Sequence, residues 1–140
     1  MTVDTTLIVE RVHPEALLPK KALIEDACFD LFSAEERVVP PGATQVLGTG
    51  LQVQIEPGWE AQVRGRSGLA SRGLVVHPGT IDSLYRKELK IIVHNLSDQD
   101  WAIAPQDRIA QMKLSRVWSV ELIEGKVQPT ERGGLGSTGR

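Results

Sequence analysis

At 140 residues the chain has room for one domain with a real core, and 41% hydrophobic with 24% charged residues is an ordinary composition for a soluble globular protein. A net charge of −2 argues against a general polyanion binder, so no nucleic-acid partner is expected, although a few local arginines could still hold a small anion. Cys28 is the only cysteine, which excludes an intrachain disulfide and a thiol cluster for zinc; with no leader pattern and no apolar run near the ~20 residues of a membrane span, a cytoplasmic protein without a membrane partner is expected.

In chain order, short pieces with a two-residue hydrophobic period are separated by glycine and proline. Strands are predicted at Leu7–Val12, Ala27–Phe32, Leu51–Ile55, Glu60–Arg64, Leu74–His77, Glu88–His94, Trp101–Ile103, Ile109–Leu114 and Val117–Ile123. In the sixth, Leu89, Ile91 and Val93 alternate with Lys90, Ile92 and His94. Turn signals stand at Pro40-Pro41-Gly42, Pro57-Gly58, Pro78-Gly79 and Ser97-Asp98. Only Gly68–Arg72 has room for a helical turn. Many short strands and little helix predict an all-β sandwich or barrel. Beyond Ile123 the chain is glycine-rich and poor in large apolar residues, so 124–140 reads as a mobile arm after a β-domain of 1–123.

Several segments could carry chemistry. Arg66-Ser67-Gly68 follows a strand, and a helical turn beginning at Ser67 would aim a hydroxyl and backbone N–H groups at an anion, with Arg66 adding a bidentate phosphate contact. An ordinary capped turn explains it equally well. Gly79–Glu88 reads as a hairpin connection in which Asp82 is a candidate general base and Tyr85 a flat ring for a sugar. Taken alone, Asp82 is better explained as a turn aspartate bonded to its own backbone. Gly134–Gly139 matches G-x-G-x-x-G, but no helix can follow it, so the dinucleotide reading fails; Ser137, Thr138 and Arg132 could still wrap a terminal phosphate. No P-loop signature occurs. His13, His77 and His94 show no ligand spacing with one another and read as surface or satisfied histidines. Trp59, Trp101 and Trp118 read as core or subunit-contact residues.

Five of these segments, in order, resemble the trimeric dUTP pyrophosphatase (dUTPase) family: Ala27–Ser33, Gly65–Ala70, Gly79–Tyr85, Asp107–Gln111 and Arg132–Gly139. The resemblance implies a distorted β-barrel or jelly-roll subunit in a homotrimer, with each active site built from several chains and the arm 124–140 closing over the nucleotide. It implies hydrolysis of dUTP to dUMP and pyrophosphate, which keeps uracil out of DNA and supplies dUMP for thymidylate synthesis. Asp82 would activate a water that attacks the α-phosphorus. Tyr85 would stack beneath the deoxyribose and leave no space for a 2′-hydroxyl. Backbone near Thr80, Ile81 and Lys90 would read the uracil. Arg66, Ser67, Gly68 and Gln111 would hold the α- and β-phosphates, and Arg132, Ser137 and Thr138 the γ-phosphate, with Leu135 and Gly136 also lining the substrate. Asp30 would stand behind them, near the metal waters or the sugar. Mg²⁺ would arrive with the triphosphate and keep mostly water ligands, with none directly from the protein.

Four positions depart from the family pattern: Lys87 and Gln106 replace glycines, Leu135 replaces an aromatic, and the segment after Arg132 is shortened to Gly133-Gly134. The rival enzyme on this scaffold, dCTP deaminase, needs a glutamate near Ile92, where the chain has only Ile91, Ile92 and Val93. The rival from another class is a regulatory nucleotide-binding protein on the dUTPase scaffold.

Overall fold

The computed structural model describes residues 2–136. Its strands, in chain order, are β1 (Leu7–Arg11), β2 (Phe29–Phe32), β3 (Arg37–Val39), β4 (Thr44–Ile55), β5 (Trp59–Arg64), β6 (Leu74–Val76), β7 (Gly79–Ile81), β8 (Glu88–Asn95), β9 (Trp101–Ile103) and β10 (Arg108–Arg116). A single helical turn, α1 (Ser67–Ala70), lies between β5 and β6. Two four-stranded sheets form, ordered β1-β4-β8-β6 and β2-β10-β5-β7, with a two-stranded β3-β9 ribbon beside them. All the pairings within them are antiparallel.

The core lies between the two sheets because alternate residues of each turn inward. Leu89, Ile91 and Val93 of β8 and Leu47, Val53 and Ile55 of β4 meet Leu31, Ala61, Val63 and Met112 from the other sheet. Each fully buried Leu or Ile contributes about 1.5–3 kcal/mol by leaving water. Asn95 is buried at the end of β8 without cost in unmet polarity: its side-chain N–H donates to the carbonyls of Val39 (2.8 Å) and Gln99 (2.7 Å), and its Oδ1 accepts from Ser97. That residue therefore ties the β3–β9 ends to the main sheet. The all-β, jelly-roll-like architecture is as expected, although the sheets do not close into one continuous barrel.

Outside the Gly79–Glu88 segment, three elements differ from the sequence reading. β4 begins at Thr44 rather than Leu51, because glycines that look like breakers here serve a bulge, with the register shifting between Gly48 and Gln52. Gly50 has φ +67°, and a Cβ there would press within 2.6 Å of the His13 Cβ, so both backbone angle and space demand glycine. β3 was not foreseen; three residues are too few to show a period. Val117–Ile123 is not a strand: from Val117 through Gly136 the chain is exposed and forms neither strand nor helix. Apart from the Val117 N–H donating 2.9 Å to the Gly58 carbonyl, no strand pairing continues into it, and Trp118 is 77% exposed while Trp59 and Trp101 pack against the core.

Candidate active site

The first half of the site forms where β2, β10 and β5 lie side by side. Gln111 is opposite Asp30 on one flank and Arg64 on the other, so all three point to the same face. Along a regular strand Arg108 would point the opposite way from Gln111. The register shift between Arg108 and Ala110 adds one residue, so that Ile109 and Ala110 are both buried and Arg108 emerges beside Gln111. The result is an ionic cluster: Asp30 Oδ1 lies 3.6 Å from Arg66 Nε, and Asp30 Oδ2 lies 3.6 Å from Arg108 Nη1. Sharing one carboxylate leaves each guanidinium with further N–H groups for another anion.

Behind this cluster, the Gln111 side chain donates 2.8 Å to the Gly65 carbonyl and fixes the chain as it leaves β5. Arg66 is extended (φ −105°, ψ 133°) and α1 starts at Ser67. The first-turn N–H groups of Ser67 and Gly68 have no partner within so short a helix. Ser71 Oγ and Arg72 Nε both donate to the Gly68 carbonyl, at 2.9 and 3.3 Å, and the Arg72 guanidinium stacks 5.1 Å from the Trp101 ring centroid. A Cβ on Gly68 would meet nothing within 4 Å, so this glycine leaves open surface rather than relieving a packing clash. A cleft of about 660 Å³ opens alongside, lined in part by Arg66, Arg72, Asp107, Arg108 and Trp101.

The second half lies elsewhere on the same chain. Gly79–Glu88 is not a plain hairpin connection: β6 pairs with β8 at its root, but Gly79–Ile81 crosses to the other sheet and pairs with β5 as β7. Thr80 faces out opposite Gln62, and Ile81 turns toward Ala61. Asp82 follows, exposed, in a turn closed by the Tyr85 N–H donating 3.0 Å to the Asp82 carbonyl. That bond uses the Asp82 backbone and leaves its carboxylate out. The Tyr85 hydroxyl donates 2.7 Å to the Glu88 carbonyl, which pins the ring across the turn although Lys87 stands where a glycine was expected. Lys90 is exposed on β8, opposite Gly48 of β4.

The two halves do not meet within one chain. Along β5, Arg64 is level with Gln111 and Ala61 is level with Ile81, a separation of about 10 Å at ~3.3 Å per residue. Arg66 and Asp82 lie beyond opposite ends of that stretch. The third group of predicted residues is the arm. Arg132, Leu135 and Gly136 are exposed beyond the last strand, the latter two in a turn, while Ser137 and Thr138 lie outside the described residues.

Arg108 follows Asp107 directly in sequence, where an ion pair between neighbours is the simplest reading. Its partner is instead Asp30, and Asp107 Oδ2 accepts the Ala104 N–H at 2.8 Å. Two adjacent apolar residues, Ile109-Ala110, were the signal for the bulge that turns Arg108 outward. At Gln106, where a glycine was expected, φ is +71°. With Pro105 before it and Asp107 N–H donating 3.1 Å to the Ala104 carbonyl, the segment has the type II turn pattern that favours glycine at this position.

A family model described as dUTPase matches residues 15–139. The chain belongs to the dUTPase family. It is 42% identical over 139 residues to a deoxyuridine 5′-triphosphate nucleotidohydrolase of Solibacter usitatus (strain Ellin6076), covering 94% of this chain and 95% of that protein. It is 44% identical over 140 residues to the protein of the same description from Nautilia profundicola, covering 96% and 99% respectively. Among solved structures, the Staphylococcus bacteriophage 80alpha dUTPase with dUPNHPP superposes with a TM-score of 0.87 at 30% identity, over 96% of this chain and 98% of that one. A mutant dUTPase from phage phi11 of S. aureus, solved for the coordination of a structural Mg(II) ion, superposes with a TM-score of 0.81 at 26% identity, over 87% and 97%.

Proposed function

We propose that this dUTPase-family chain hydrolyses dUTP to dUMP and pyrophosphate at a site assembled from more than one copy. The observation that carries the shared site is the separation of the exposed Asp82 turn from the Arg66–Gln111 cluster along β5. A water attacking the α-phosphorus must lie close to the base and to the phosphate-binding groups at once. A second copy can bring its own hairpin to the first copy's arginine cluster, and a closed homotrimer satisfies every such junction equally.

In this reading Asp82 positions and deprotonates the water. Its carboxylate is exposed and outside the turn's backbone bond, so it is available as a hydrogen-bond acceptor. Arg66 and Gln111, with Ser67 and Gly68, hold the α- and β-phosphates, and Asp30 fixes the Arg66 guanidinium from behind. Tyr85 is held by Glu88 and is 38% exposed as a residue, which leaves a surface on which a deoxyribose can stack. Backbone groups at Thr80, Ile81 and Lys90 read the uracil. The arm 124–140 brings Arg132, Leu135, Gly136, Ser137 and Thr138 over the γ-phosphate and base and excludes water.

Magnesium fits as an ion carried by the nucleotide. Asp82 offers an exposed hard oxygen that can accept a hydrogen bond from a metal-bound water without direct coordination. When bound, the ion neutralises charge on the phosphoryl oxygens. The protein's own contribution is to position substrate and water and to supply cationic hydrogen bonds.

Mixing tests the shared site. Asp82→Asn and Arg66→Ala chains, each inactive in pyrophosphate release from dUTP, are denatured together, refolded and assayed. Recovery of turnover is expected, because some junctions then combine an intact Asp82 with an intact Arg66. Refolded mixtures as inactive as their parents, while co-refolded wild type is active, would refute a site shared in this way.

A further inference from the structure

His77 and His94 are distant in sequence, yet the β6–β8 pairing sets them side by side on the outer face of a sheet. Val75 is level with His94, and the His77 N–H donates 2.8 Å to the Ile92 carbonyl, so His77 stands diagonal to His94 on the same face. The two ring centroids are 5.9 Å apart with the planes at 77°. On the opposite flank Thr44 is level with His94, and its Oγ1 lies 2.7 Å from His94 Nδ1.

These contacts come within about 1 Å of what a metal requires of paired imidazoles. With metal–nitrogen bonds of about 2.0–2.1 Å and a centroid about 1.2 Å behind each nitrogen, two rings on one tetrahedral ion have centroids about 5.2 Å apart. Small rotations of two solvent-reachable rings bridge the remaining distance. A ligating histidine usually bonds its other ring nitrogen to an oxygen, which fixes ring and tautomer. Thr44 supplies that oxygen: with Nδ1–H donating to its hydroxyl, His94 Nε2 carries the free lone pair. Imidazole donors select Zn²⁺, Cu²⁺ or Ni²⁺ over hard Mg²⁺, so such a site does not compete for the ion carried by a nucleotide.

We propose that His77 and His94, oriented by Thr44, form a two-imidazole site for a borderline divalent cation such as Zn²⁺, with water or external donors completing its coordination. The site lies at the root of the segment that carries Asp82 and Tyr85, because His77 directly precedes Pro78 and β7. A bound ion cross-links β6 to β8 there and stiffens the base of the hairpin.

Calorimetric titration of the nucleotide-free full-length protein with Zn²⁺ tests this, with Mg²⁺ as the comparison. One Zn²⁺ per chain is expected, with no matching Mg²⁺ uptake. His77→Ala and His94→Ala should each abolish uptake, and Thr44→Val should weaken it roughly 10–100-fold. The remaining soft donors serve as controls: His13→Ala and Cys28→Ser should bind as wild type. Unfolding curves without metal show whether each variant is folded; Zn²⁺ should raise the midpoint of wild type and of Cys28→Ser but not of the exposed-site variant His77→Ala. No uptake by wild type, uptake retained in folded His77→Ala, or uptake lost in folded Cys28→Ser or His13→Ala would each overturn the proposal.

Discussion

The arginine cluster and the Asp82 hairpin are held in different ways. Around Asp30 the site is built from side chains on three neighbouring strands, and each member is already bonded: Arg66 and Arg108 to Asp30, Gln111 to the Gly65 carbonyl. At the hairpin the fixed bonds are made by or to backbone, the Tyr85 N–H to Asp82 and the Tyr85 hydroxyl to Glu88, while the Asp82 carboxylate stays exposed. Groups that bind a polyanion through every stage of a reaction gain from being fixed before substrate arrives, since little ordering cost remains at binding. A base must keep its lone pairs for the water, so only its backbone is tied down. In the proposed function the difference is between a prepared anion seat and a presented base.

Perturbing each half should therefore produce a different kinetic signature. The largest effect belongs to the base: Asp82→Asn should lower kcat for dUTP by roughly 10²–10⁴-fold with nucleotide binding retained, measured by pyrophosphate release and calorimetry. Matching losses of affinity and of kcat would make Asp82 a binding residue instead. Next, Arg66→Lys keeps the charge but loses the guanidinium fork, and should weaken dUTP binding by about 10–100-fold because a charge-assisted bond contributes ~1.5–3 kcal/mol. Wild-type affinity in that variant would remove Arg66 from the anion seat.

Smaller effects sharpen the contrast within the hairpin and the turn beside the cluster. Tyr85→Phe loses the bond to the Glu88 carbonyl and should cost about 1 kcal/mol in chemical denaturation, while preference for dUTP over UTP survives because the ring remains. Equal hydrolysis of UTP and dUTP by the wild type would end the sugar-gating role. Gln106→Gly relieves a non-glycine residue of φ +71° and should stabilise the protein by roughly 1 kcal/mol, read from the denaturation midpoint, with turnover unchanged. A destabilised variant would mean that the Gln106 side chain makes compensating contacts.

The chain's alternation made most of the fold readable. Leu89, Ile91 and Val93 repeat every second residue and are buried, and Glu60–Arg64 and Trp101–Ile103 fall within one residue of the strands found. Where the reading failed, local pattern and tertiary context pulled apart. Gly48 and Gly50 look like breakers but serve a bulge inside β4. Val117–Ile123 has strand-forming residues but finds no partner strand within the described chain, and a strand needs a neighbour to satisfy its backbone. Among the candidate site residues, Arg66, Ser67, Gly68 and Gln111 could be picked out because their motifs are contiguous. The partnership of Arg108 with Asp30 was not, because it depends on one extra residue in β10.

By itself, the sequence determined the family, the all-β class and the identity of the residues that carry the proposed chemistry, because these are written in short contiguous motifs and a two-residue period. Only the tertiary structure decided which of those residues share a neighbourhood. It gathered Asp30, Arg66, Arg108 and Gln111, left Asp82 past Ile81 toward the Trp59 end of β5, and put His77 beside His94. The physical reason is register: strand pairing and a single bulge set which side chains meet, and neither is fixed by spacing along the chain.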